Sequence, residues 1–179
     1  KIETMLTAVK PPRTAMEVFK MLPEGTRCEL IENKLYMSPA PSTPQQRLVS
    51  TLAGLFFNYQ NKSKKGIYII SPIDVFLNSK NAFQPDLVFI LNENLEIVRE
   101  DGIHGAPDLI VEVLSKGTKN FDLGKKKTVY EKSGVKESWV VDSSTHICTG
   151  FRLVGKKLEE FCSEKSKIAS SLFRHTFKI

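Results

Sequence analysis

Two apolar stretches decide how this chain folds: QPDLVFI, from Gln84 to Ile90, and DLIVEVLS, from Asp108 to Ser115. The second is a near-continuous aliphatic run of strand length. That pattern belongs to a central strand covered on both faces, not to one that alternates between core and water. The first is a shorter apolar strand. Each carries an acid where burial penalises it. Glu112 sits inside LIVEVL, and Asp86 stands immediately before LVFI. A carboxylate buried alone is costly unless it is paired or bound to a cation. Side chains alternate along a strand, so Ile110, Glu112 and Leu114 share one face. If the two strands are neighbours, Asp86 and Glu112 converge at a spacing suited to one divalent ion. An oxygen-only ligand set favours a hard cation, Mg²⁺ or Mn²⁺, over zinc. A structural ion pair explains one such acid equally well. Two of them, beside a lysine-rich helix, point to a site.

Working outward, NFDLGKKKTVYEKSGV reads as a helix with Leu123, Val129 and Tyr130 inward and a stop at Gly134. ESWVVD is a further apolar strand. ICTGFRLV, KLEEF and the closing SLFRHTFKI supply more strand material. Towards the N-terminus, IYIISPIDVFL is strand broken at Pro72. QQRLVSTLAGLFFNYQNK places Leu48, Leu52, Leu55, Phe56 and Tyr59 on one helical stripe, with Ser42 or Thr43 as its cap. RCELIENKLYMS reads as a hairpin turning at Glu32-Asn33. Thr14 and Glu17 form a capping box ahead of AMEVFKML. ENLEIVREDGIHGAPD is a polar connection. The order is helix, hairpin, helix, strands, helix, strands, which makes a mixed sheet with few helices, an α/β fold of α+β character.

The 179 residues suit one domain, expected over 14–179 behind a flexible arm at 1–13. Cys28, Cys148 and Cys162 are odd in number and far apart, so they read as reduced thiols, not zinc ligands or disulfides. His104, His146 and His175 lack metal-ligand spacing. No apolar run approaches the roughly 20 residues of a membrane span, and no signal-peptide pattern opens the chain, so a cytoplasmic protein without membrane association is expected. The net charge of +6 favours a polyanionic partner. NKSKKG, SKGTK and LGKKK are candidate phosphate contacts, whereas the lysines between Lys156 and Lys167 read as a solvated face. Taken alone, Glu29 reads as a surface hairpin glutamate.

QPDLVFI followed by DLIVEVLS resembles the PD-(D/E)XK nuclease superfamily, with Pro85-Asp86 as its "PD" and Glu112 as its second acid. RCELIENKLYMSPAPS, IDVFL, EDGIHGAPDLIVEVLS, the D-x3-K-x3-Y of Asp122, Lys126 and Tyr130, SGVKESWVVD and SSLFRHTFKI together resemble, from Ala15 onward, the putative restriction endonuclease family common in cyanobacteria. The resemblance implies a restriction-endonuclease-like core, a mixed central sheet flanked by helices with an N-terminal helix and hairpin. It implies a Mg²⁺-dependent endonuclease acting on DNA, with the ion held by Asp86, Glu112 and the Val113 backbone carbonyl, and Glu29 as an added acid. Related nucleases often cut as dimers, so a homodimer is an open expectation. Two positions depart from the pattern. Leu114 stands where the superfamily places its lysine, and Lys126 matches the family's substitute on the next helix. Its neighbours Lys125 and Lys127 project about 100° to either side. Gln45 stands where many relatives carry histidine, and it cannot titrate. Gln45, Asp122 and Lys125 are accessory candidates. The rival reading, supported by Leu114 and Gln45, is a decayed nuclease fold that binds nucleic acid or another partner.

Overall fold

The computed structural model describes residues 11–114 and 122–179, and within them the side chains other than those of residues 122 and 123. The expected arm therefore lies mostly outside the described residues, as do the SKGTK segment and the side chains of Asp122 and Leu123.

Helix α1 (Ala15–Lys20) begins as its capping box dictates: Thr14 Oγ1 accepts from the Glu17 amide, and the Glu17 carboxylate accepts from the Thr14 amide. Strands β1 (Cys28–Ile31) and β2 (Lys34–Met37) form the hairpin. Its turn residues Glu32 and Asn33 have φ of 50° and 64°, the primed-turn geometry that matches strand twist. Helix α2 (Thr43–Ser63) is capped by Ser42, with Gln45 completing a second capping box. Then follow β3 (Gly66–Ile70), β4 (Val75–Asn78), β5 (Asn81–Phe83), β6 (Leu87–Leu91), a 3₁₀ helix (Asn92–Ile97), β7 (Val98–Arg99), β8 (Gly102–His104) and β9 (Leu109–Leu114). Helix α3 (Asp122–Ser133), β10 (Glu137–Asp142), β11 (Ile147–Val154), β12 (Lys157–Lys165), β13 (Lys167–Ser170) and β14 (His175–Lys178) complete the chain.

The strands build two mixed sheets and a ribbon. The first sheet runs β2-β1-β5-β4-β8-β7, the second β12-β11-β10-β9-β6-β3, and β13 pairs with β14. Within the second sheet β9 is central, parallel to β10 and antiparallel to β6. Its alternation decides the layers. Leu109, Val111 and Val113 join Leu52 and Phe56 of α2 and Phe173 and Phe177 of the C-terminal ribbon in one core. Ile110, with Val88 and Ile90 of β6, joins Phe83 and Val75 of the first sheet and Val129 and Tyr130 of α3 in a second core. The inter-sheet layer thus receives the even-numbered residues of β6 and β9. Burying each of the five aliphatic side chains of β9 is worth about 1.5–3 kcal/mol relative to exposure, which offsets the several kcal/mol of carrying Glu112 among them. Cys28 and Leu30 face the opposite way, onto Phe19 of α1.

Two short strands, β5 and β8, stand where the sequence shows a turn and a polar connection. Three residues are too few for alternation to register, and both strands are fixed by pairing to β4. Among the described residues no helix is long and apolar enough to cross a membrane.

Candidate active site

The register of β6 on β9 pairs Leu87 with Val111 and Val88 with Ile110. One step further along, the same register sets Asp86 across from Glu112. Both belong to the even-numbered face, so both meet the inter-sheet layer. Asp86 is fixed to the partner strand: the Val113 amide donates to its Oδ2 at 2.7 Å. From the first sheet, Glu29 comes in on the same side as Ile31, 6% exposed. From α3 come Lys126, 8% exposed, and Tyr130, one turn later on the same helix face.

These groups interlock. Lys126 Nζ lies 2.8 Å from Glu29 Oε1 and 3.4 Å from Glu112 Oε1. The Tyr130 hydroxyl donates to Glu112 Oε1 at 2.6 Å. The Gln84 amide donates to Glu29 Oε1 at 3.0 Å, while the Gln84 side chain donates to Asp74 Oδ1 at 2.9 Å. On the opposite wall, Gln45 Nε2 donates to the Val113 carbonyl at 3.2 Å, its orientation set by Oε1 accepting from the Ser42 amide at 2.9 Å. All of these except Asp74 and Ser42 line one cavity of about 360 Å³.

Electrostatics separate Asp86 and Glu112 from ordinary structural acids. Burial pushes the Asp86 carboxyl up, against the Val113 amide and the charges of Lys126 and Arg27, which favour its ionised form. Glu112 is raised to about 7: burial dominates, Lys126 opposes it, Glu29 and Asp86 repel the charge, and the Tyr130 hydrogen bond partly compensates. Tyr130, buried beside these acids, is held well above the ordinary phenol value. Contrast Asp108 and Glu137, also buried. Asp108 accepts from the Leu91 amide, Asn94 and Lys136. Glu137 accepts from the Trp139 indole, Ser171 and the Leu172 amide. Those two are satisfied structural acids. The cavity instead gathers Glu29, Asp86 and Glu112 around Lys126, with Asp142, Arg27 and Lys127 also on its wall, an excess of acids over bases.

The described residues contain no group of three or more His, Cys, Asp and Glu side chains placed to hold a metal ion. What the cavity offers a hard cation is a smaller donor set, the Asp86 and Glu112 carboxylates and the carbonyl of Val113, all residues of its wall. Its chemistry fits such an ion, since the donors are oxygens and the negative charge is in excess.

Of the residues singled out in the sequence, Glu29, Gln45, Asp86, Glu112, Val113 and Lys126 meet at this cavity. Lys125 does not: it is exposed and stands 6.0 Å from the Tyr36 ring, whereas Lys127 lies over Phe151 on the cavity wall. Leu114 is buried at the cavity wall. Sequence reasoning missed the roles of Tyr130, Gln84 and Arg27. Only Tyr130 had a usable signal, its helical spacing from Lys126.

The family model described as "Putative restriction endonuclease" (Uma2) matches residues 15–177. The chain belongs to that family. A crystal structure described as a putative nuclease belonging to DUF820, from Anabaena variabilis, superposes with a TM-score of 0.73 at 18% identity, covering 91% of this chain and 92% of that one. At that identity the likeness concerns the fold alone, and it shows that this Uma2 chain shares that protein's mixed α/β architecture. None of the curated proteins compared matches the chain.

Proposed function

We propose that this Uma2 protein is a divalent-metal-dependent endonuclease that hydrolyses DNA phosphodiester bonds at the cavity between its two sheets. One observation carries the reading. Asp86 and Glu112 face each other across paired strands with raised proton affinity, and the Lys126 ammonium stands beside them. The family supports a nuclease, and the net charge of +6 suits a polyanionic substrate.

Asp86, Glu112 and the Val113 carbonyl would hold Mg²⁺ or Mn²⁺. When bound, that ion supplies Lewis-acid activation of water and neutralises charge on the phosphate. The chain's own groups do the rest. Lys126 orients the attacking water and offsets the negative charge that builds on the phosphate oxygens in the transition state. Its ammonium is already fixed by Glu29 and Glu112, so little reorganisation is needed at the moment of reaction. Glu29 holds Lys126 and, with its remaining acceptor capacity, a water. Tyr130 keeps the Glu112 carboxylate in one orientation. Asp86 is aimed by the Val113 amide. Water attacks phosphorus and gives up a proton to solvent, the bond to the leaving oxygen breaks, and that oxygen takes a proton from solvent. Lys126 occupies the functional place that Leu114 leaves empty, which weighs against a decayed, binding-only fold.

The test is cleavage of supercoiled and linear duplex DNA by highly purified protein with Mg²⁺ or Mn²⁺. Cleavage should vanish in Asp86→Ala and Glu112→Ala while circular dichroism and melting show an intact fold. Cleavage by the double variant at the wild-type rate, or none by the wild type on a broad substrate panel, sinks the reading.

A further inference from the structure

Arg27 stands two residues before Glu29. The Ser38 amide donates to the Arg27 carbonyl at 2.9 Å, so hairpin pairing continues through this position. Alternation then puts Arg27 on the face of Glu29 and Ile31, the face turned to the inter-sheet layer. Arg27 lines the same cavity as Asp86, Glu112 and Lys126. Its Nε is buried yet has no hydrogen-bond partner, and its charge acts on the Asp86 carboxylate. The cost of leaving a buried donor unsatisfied is about 1–3 kcal/mol. Packing elsewhere tolerates that cost, and the Arg27 side chain forms part of the wall that an acceptor entering the cavity would meet.

The acceptor's chemistry follows from the neighbours. Among the described cations of the cavity wall, Lys126 is engaged by Glu29 and Glu112 and Lys127 lies over the Phe151 ring, which leaves Arg27 for an incoming anion. A guanidinium presents a planar fork that matches two oxygens of one oxyanion, which a lysine cannot do. A phosphodiester offers two non-bridging oxygens and a single negative charge. With a divalent ion on the carboxylates, the four acids of the wall, Glu29, Asp86, Glu112 and Asp142, are set against that ion and three basic side chains, Arg27, Lys126 and Lys127, leaving one positive charge for that anion.

Building on the nuclease reading, we infer that Arg27 grips the scissile phosphodiester through its non-bridging oxygens and is a substrate-binding residue of the site. Arg27→Met and Arg27→Gln remove the charge at similar length, the second keeping a polar head should the first not fold. Two titrations are compared by calorimetry: Mn²⁺ alone, and thymidine 3′,5′-bisphosphate in the presence of Ca²⁺. The expected result is Mn²⁺ affinity close to wild type, with bisphosphate affinity weakened by about tenfold or more, the loss of a charge-assisted contact. On duplex DNA the loss should fall mainly on KM. Bisphosphate binding equal to wild type in both variants overturns the inference, as does a wild type that binds Mn²⁺ but no bisphosphate. A wild type that binds no Mn²⁺ is a different failure, that of the nuclease reading itself.

Discussion

Lys126 Nζ lies 2.8 Å from Glu29 Oε1, joining helix α3 to the hairpin sheet across the layer that separates it from the second sheet. The same ammonium reaches Glu112, so one cation serves two buried carboxylates from different sheets. Removing one partner of a buried ionic cluster leaves uncompensated charge, at a cost of about 3–5 kcal/mol. Lys126→Met should therefore lower the melting temperature of the metal-free protein, and added Mn²⁺ should recover part of the loss by replacing the missing charge. Cleavage should fall by about 10²–10³-fold, the range for a lost stabiliser of transition-state charge. Unchanged cleavage would remove Lys126 from the mechanism.

The proton affinity of Glu112 sets a pH dependence. Its folded-state value of about 7 exceeds the ordinary 4.5, so the fold favours the protonated acid. Stability from this group is complete below about 4.5 and is lost as pH rises through about 7. Metal-free protein should then melt lower near pH 8 than near pH 6, and Glu112→Gln should flatten that slope, about pH 6 to 8 being the window this titration covers. Metal and proton compete for the same oxygens, so Mn²⁺ affinity should rise by up to about tenfold per pH unit below 7 and level off above it. An Mn²⁺ affinity independent of pH across that window would take Glu112 out of the ligand set.

Gln45 bridges the start of α2 and the site, with Nε2 on the Val113 carbonyl and Oε1 on the Ser42 amide. An amide does not titrate, so this residue positions and does not exchange protons. Gln45→Ala should cost about 1 kcal/mol, the typical worth of a lost hydrogen bond. The pH–rate profile should keep its wild-type shape even if the rate drops. A profile whose limbs move would show that position 45 communicates with a titrating group, contrary to this assignment.

The acids of the site were legible because burial penalises charge: an acid inside LIVEVL needs an explanation that an acid in a loop does not. Alternation along DLIVEVLS also fixed which face Glu112 takes, and the observed layers follow it. That the strands of Asp86 and Glu112 are neighbours could be posed only as a condition, since pairing across the 17 residues of connection at 92–108 leaves no local trace. Lys126, Lys125 and Lys127 look alike in sequence, and only helical phase against a fixed sheet separates the buried one. Arg27 gave no signal because a lone basic residue before a strand is commonplace. Gln84 acts on Glu29 through its backbone amide, which every residue but proline possesses. Tyr130 read as core, and it is core: its ring packs edge-on against Phe83 at 5.3 Å while its hydroxyl serves Glu112.

That double duty makes Tyr130→Phe the cleanest probe of the site. The ring and its packing survive, and only the 2.6 Å hydrogen bond to Glu112 is lost. Because that bond favours the ionised carboxylate, its removal should move the Glu112 titration still higher. The stability change should be small at low pH, where Glu112 is protonated. It should grow to about 1–3 kcal/mol at high pH, where a buried carboxylate is left with one donor fewer. Mn²⁺ affinity near pH 7 should fall, and should recover at higher pH as the acid ionises, a pattern that lost packing alone does not produce. A uniform loss of stability at every pH, with unaltered metal binding, would reduce Tyr130 to a core aromatic and nothing more.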